Sequence, residues 1–157
     1  YFQGWTGSAP KLKTIGGSAY FQGWTGDALE LKTIEGFADF EGWTGSAPKL
    51  KTIGGSADFR EWTGDALELK TIEGFADFQG WTGDAPKLAK KYIFSDPIGN
   101  RGATCKFEKG TKRYKTGCFT GTASELIEAC INTHGLHSKY TEQYKEFILK
   151  CEPEFTF

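Results

Sequence analysis

A 19-residue period runs through the first 88 residues and limits what this chain can fold into. Phe2, Phe21, Phe40, Phe59 and Phe78 occupy corresponding positions. Trp5, Trp24, Trp43, Trp62 and Trp81 follow three residues later, each inside the tripeptide WTG. Leu12, Leu31, Leu50, Leu69 and Leu88 come next, then Ile15, Ile34, Ile53 and Ile72. The opening YFQGWTG recurs unchanged as Tyr20–Gly26. Its first four letters match a common tag-cleavage remnant, but the segment is in register with the ladder. A block this short cannot bury its apolar residues alone, so it must stack on copies of itself.

The blocks do not read as helices. Each places a glycine after its Trp-Thr pair and most carry more, at a cost of about 1 kcal/mol for each glycine inside a helix. The stretch FADF alternates instead, turning Ala38 and Phe40 one way and Phe37 and Asp39 the other. Short strands at this interval predict a mainly β fold, a repeat β-solenoid. Each block is one rung, and equivalent residues stack about 4.8 Å apart. The Leu, Ile, Ala and Phe positions form the expected inward set. A closed propeller would need more chain than 88 residues.

Stacking requires residue i to tolerate residue i+19. Lys11, Glu30, Lys49, Glu68 and Lys87 alternate in sign. Pro10, Leu29, Pro48, Leu67 and Pro86 alternate in kind, as do Ser18, Phe37, Ser56 and Phe75, and Gly16, Glu35, Gly54 and Glu73. The full unit is therefore a 38-residue double repeat. Alternation favours i over i+19, because pairing i with i+38 would set lysine on lysine. The column Asp39, Asp58 and Asp77 is like-charged and must be solvated or bind cations.

Three sets of columns are candidate sites. Stacked tryptophans at Trp5, Trp24, Trp43, Trp62 and Trp81 can bind sugars or bases when exposed, or plug a corner of the coil when buried. The threonine columns Thr6 to Thr82 and Thr14 to Thr71 suit strand ladders, and regular threonine arrays can order water. The aspartates lack the glycine-rich pattern of calcium-binding repeats, and no metal or cofactor is expected.

Composition shifts after Leu88. Residues 1–88 carry 8 basic and 12 acidic side chains, net −4, and residues 89–157 carry 11 and 8, net +3. All four cysteines, Cys105, Cys118, Cys130 and Cys151, lie in the second part, with no CxxC pair or zinc spacing. They read as free thiols, with two disulfides as the alternative. Cys105–Phe107 and Tyr114–Cys118 predict a hairpin around EKGTK. Thr122 and Glu125 form a capping box before a helix with Leu126, Ile127, Cys130 and Ile131 on one face and Gly135 as its stop. A second helix ends before Pro153, with Tyr140, Tyr144, Phe147, Ile148 and Cys151 on one face. The domains expected are 1–88, the solenoid, and 89–157, a small α+β module of ββαα order that would cap the solenoid.

GCFTGTASELIEACINTHG followed by YTEQYKEFI resembles the C-terminal module of uncharacterised phage and prophage proteins, which carry a GCF-x-GT…THG…Y pattern. The LKTIGGSADF blocks resemble the degenerate leucine-rich-type repeats that accompany such modules. The motif positions are Gly117, Cys118, Phe119, Gly121, Thr122, His134, Gly135 and Tyr144. The resemblance implies a host-cytoplasmic, virion-associated or filament-associated setting, and no reaction.

Cys118 and His134 make a nucleophile–base pair only if a third group orients the histidine and donors wait for an oxyanion, and no such set is legible. The basic run Lys106, Lys109, Lys112, Arg113 and Lys115 reads as a solvated hairpin face, so nucleic acid is not the expected partner. No apolar run reaches the length of a membrane span. The expectation is a non-enzymatic structural scaffold that associates with itself or with a protein partner. It would assemble end to end from an uncapped first rung at Tyr1. The alternative is a binding module that captures a host protein or a small ligand.

Overall fold

The computed structural model describes residues 1–157, which form two compact units, Tyr1–Lys90 and Lys91–Phe157. The first is a β-solenoid. Each rung contributes two strands of two residues. Thr14–Ile15 (β1), Thr33–Ile34 (β3), Thr52–Ile53 (β5) and Thr71–Ile72 (β7) form one parallel sheet. Ala19–Tyr20 (β2), Ala38–Asp39 (β4), Ala57–Asp58 (β6) and Ala76–Asp77 (β8) form a second. Every pairing sets residue i on i+19, as in Ile34 on Ile53 and Ala38 on Ala57.

The inward set closes the core. Leu31, Ile34, Ala38, Phe40, Leu50, Ile53, Phe59, Leu69 and Ile72 have no exposed surface. Within FADF, Ala38 and Phe40 are buried while Phe37 and Asp39 are half-buried, which is the strand alternation expected.

Two turns shape each rung. The Leu31 amide donates to the Ala28 carbonyl at 3.1 Å, closing a turn whose second position is Leu29. That position is proline in alternate rungs, where the fixed φ of proline suits the turn. The Trp24 amide donates to the Phe21 carbonyl at 2.9 Å, and Gly23 between them has φ +69°. Gly4, Gly42 and Gly80 hold the same conformation, whereas the fourth rung places Glu61 there at φ +56°. The fifth block leaves the pattern in a short helix, α1 (Pro86–Lys91).

In the second unit the expected hairpin is Lys106–Glu108 (β10) with Arg113–Thr116 (β11). Tyr92–Phe94 (β9) pairs outside β10, and Phe119–Gly121 (β12) outside β11, giving an antiparallel sheet of order β12-β11-β10-β9. The ββαα expectation is thus corrected to four strands followed by two helices, because each added strand is only three residues long and is defined by its neighbour. Ala123–His134 (α2) and Lys139–Cys151 (α3) complete the unit. Phe107, Tyr114, Leu126, Cys130, Phe147 and Ile148 form the centre of its core.

Candidate functional site

The aromatic column is the most regular feature of the solenoid. Phe21, Phe40 and Phe59 stack with ring centroids 5.0 Å apart, and Trp24 lies over Trp43 at 5.2 Å with planes 4° from parallel. Each phenylalanine also faces the tryptophan of the next rung, as Phe21 does Trp43 at 4.8 Å. The indoles are tied to the backbone as well. Nε1 of Trp24, Trp43, Trp62 and Trp81 donates to the carbonyl of Gly7, Gly26, Gly45 and Gly64 in the preceding rung, at 2.6, 3.0, 2.9 and 2.9 Å. Trp24, Trp43 and Trp62 are fully buried. As a ligand-binding ladder these three are therefore ruled out: their faces meet one another and their single donor is used. Trp5, in the first rung, remains 43% exposed and Trp81 is half-buried.

The aspartate column is hydrogen-bonded along its length and paired to a cation only at Asp58. Asp39, Asp58 and Asp77 each accept, through Oδ1, the amide of the residue two positions on, at 3.0 Å. Carboxylate oxygens of Asp39, Glu41 and Asp58 come within 4.8 Å of one another. Arg60 supplies the positive charge there, bonding Asp58 at 2.6 Å and Glu41 at 3.1 Å. The hydrogen bond to Asp58, then its charge, pushes the Arg60 pKa up. A guanidinium thus does the work of a cation. The neighbouring column Gln3, Gln22, Glu41, Arg60 and Gln79 carried that signal in the sequence.

The alternating column pairs as expected, Lys49 with Glu30 and Lys87 with Glu68. Bonding to these lysines lowers the two glutamate pKa values. A second column, Lys13, Lys32, Lys51 and Lys70, does not alternate. It was legible by the same 19-residue rule.

In the second unit the motif residues serve turns and caps. Gly117 turns the chain between β11 and β12 at φ +54°. Phe119 and Gly121 belong to β12, and a Cβ on Gly121 would meet Phe119 at 2.5 Å. Thr122 caps α2 in the expected capping box with Glu125. Gly135 ends α2, its carbonyl accepting from the Thr141 hydroxyl at 2.9 Å. The Tyr144 hydroxyl lies 3.3 Å from that of Thr116. His134 packs on Tyr140 at 5.1 Å, Cys118 is exposed, and no hydrogen bond joins them.

All four cysteines are free thiols. Burial pushes Cys130 up to about 11 and Cys151 up to about 12, and raises Cys105 further. These three are protonated packing groups at neutral pH. In the basic hairpin, Phe107 and Tyr114 face the core and cannot stack on bases. Lys106 is itself buried, with its ammonium 4.9 Å from the Tyr92 ring centre. A cleft of about 510 Å³ opens beside this sheet, lined by Ile93, Phe107, Lys112, Cys151, Glu152 and Phe155 among others.

The fold and these columns define a β-solenoid repeat protein with a small α+β unit. No family model, curated protein or solved structure matches the chain. No helix is long and apolar enough to cross a membrane.

Proposed function

We propose that this protein is a non-enzymatic structural scaffold whose solenoid holds surfaces at a fixed spacing and assembles end to end. The carrying observation is the aromatic stack. Its contacts repeat by translation, with the Trp24–Trp43 and Trp43–Trp62 rings 5.2 and 5.5 Å apart, so an added rung docks with the geometry already present. The side chains weighed for binding or catalysis are engaged otherwise or stand apart: the buried indoles are bonded, and the Cys118–His134 pair has no hydrogen bond. The phage or prophage resemblance of the GCF-x-GT…THG pattern suggests a virion-associated or filament-associated role.

Electron microscopy of the purified chain in about 0.5 M salt, where charge contacts between copies are screened, tests this reading. Rods several times the length of one solenoid are expected. A uniform population of single copies would count against end-to-end assembly.

The second reading, a binding module, rests on the cleft lined by Phe107, Cys151 and Phe155. Its volume falls in the range of small-ligand sites. A ligand co-purifying with the protein and lost on widening or filling the cleft, for instance in Cys151→Trp, would favour it over the scaffold.

A further inference from the structure

All basic side chains of residues 1–88 except Arg60 sit in two columns two positions apart. Lys11, Lys49 and Lys87 share theirs with Glu30 and Glu68, and Lys13, Lys32, Lys51 and Lys70 fill the other. Seven lysines against two glutamates give this edge +5. The remainder of the span sets Arg60 against ten acids, −9, so the two together make the −4 of the whole. The backbone holds the uniform column in line. The Lys32 amide donates to the Lys13 carbonyl, Lys51 to Lys32 and Lys70 to Lys51, at 2.8, 2.8 and 2.9 Å. All four side chains are exposed and none belongs to an ion pair. Like charges one strand spacing apart oppose stacking, so the column gains from an external counter-charge.

The same edge is apolar at intervals. Leu29 and Leu67 are 43% and 45% exposed, two rungs apart in the column they share with Pro10, Pro48 and Pro86. Away from the first rung they are the large apolar side chains this unit leaves exposed.

The outer face of the β2-β4-β6-β8 sheet carries the complement. Ala38, Ala57 and Ala76 turn inward, so Asp39, Asp58 and Asp77 point outward at the rung spacing of the lysines. Arg60 on the same face already pairs Asp58, so Asp39 and Asp77, which belong to no ion pair, carry the negative charge open to a partner. Phe37 and Phe75 share that face, half-buried and two rungs apart, as Leu29 and Leu67 are.

We propose that the lysine edge of one copy docks on the aspartate face of a second copy. Two ladders built on one coil have the same spacing, so charges and apolar knobs match over several rungs together. A polyanion would meet the +5 edge but also the field of a unit that is −4 in total, whereas the whole chain at −1 does not repel a copy of itself strongly. The two faces differ, so the contact is heterologous and leaves a free edge and a free face at the ends of every array that does not close into a ring. The inference rests on the scaffold reading only in taking a copy of this chain as the occupant.

Sedimentation velocity of the full chain between about 0.05 and 0.5 M salt tests it. Association beyond any end-to-end rods, dissolving as salt rises, is expected. Lys32→Glu with Lys51→Glu weakens it by about tenfold or more, and Asp39→Lys with Asp77→Lys does the same. Mixing the two variants restores a complex, since one keeps the aspartate face and the other the lysine edge. A wild-type chain that is monomeric at low salt overturns the proposal, as do variants that associate like the wild type. So does a lysine edge that binds polyphosphate while copies of the chain stay apart. The wild-type salt series decides even if a variant fails to fold. Rods that persist in high salt while these contacts fail would leave the scaffold reading standing alone.

Discussion

Trp43 Nε1 donates to the Gly26 carbonyl at 3.0 Å, and this bond crosses from one rung to the one before it. Both partners are buried, so the bond has no competing water. Trp43→Phe keeps a ring in the stack but strands the carbonyl, at a cost of about 1–3 kcal/mol. Trp43→Ala also opens a cavity and should cost about 3–5 kcal/mol. Urea denaturation of the two variants checks the order, which reverses only if the indole is not in the stack.

The glycine of each WTG is tested the same way. A Cβ on Gly45 would collide with the Gly26 carbonyl and with the indole of Trp43. Gly17, by contrast, has open space around its Cβ position. Gly45→Ala should lower stability by about 1–3 kcal/mol, the range for overpacking, and Gly17→Ala should leave it nearly unchanged. Equal denaturation midpoints for the two would show that rungs do not approach this closely at the WTG corner.

Glu61 breaks the glycine pattern of its turn, at φ +56° where Gly42 and Gly80 stand at +62° and +72°. A left-handed conformation costs an L residue about 1–2 kcal/mol. Part of that is returned as chain entropy when glycine is introduced. Glu61→Gly should therefore stabilise the unit by up to about 1 kcal/mol, read as a higher denaturation midpoint.

The solenoid was legible because one rule, i on i+19, governs strands, core and turns together. Its alternation at FADF placed Ala38 and Phe40 inside without any tertiary information. What escaped the sequence depended on pairs across columns or strands. Arg60 pairs Asp58 and Glu41 from the neighbouring column, a contact that the aspartates taken alone did not show. Tyr92–Phe94 and Phe119–Gly121 are strands through their partners β10 and β11, and three residues carry too little pattern to announce them. Pro86 starts α1 after entering as a turn residue of the fifth block, where the isoleucine of the pattern is missing. The tryptophan column showed its spacing in the sequence but not its exposure, and burial decided against Trp24, Trp43 and Trp62 as a binding ladder.

The buried thiols make stability fall in alkali. Burial holds Cys130 at about 11 and Cys151 at about 12 in the folded chain, against the 9.0 of an unburied thiol. A folded pKa raised above the unfolded one favours folding fully below the unfolded value. That contribution is lost as pH rises, because only the unfolded chain ionises its thiols between about 9 and 11. The denaturation midpoint should hold from pH ~7 to ~8.5 and drop steadily above ~9. Cys130→Ala should be less stable at neutral pH but show a shallower alkaline fall. Cys118, exposed on its turn, should react with a thiol reagent in the native protein while Cys105 and Cys130 stay silent until denaturant is added. Equal reactivity of all four cysteines under native conditions would contradict the core assigned to Lys91–Phe157.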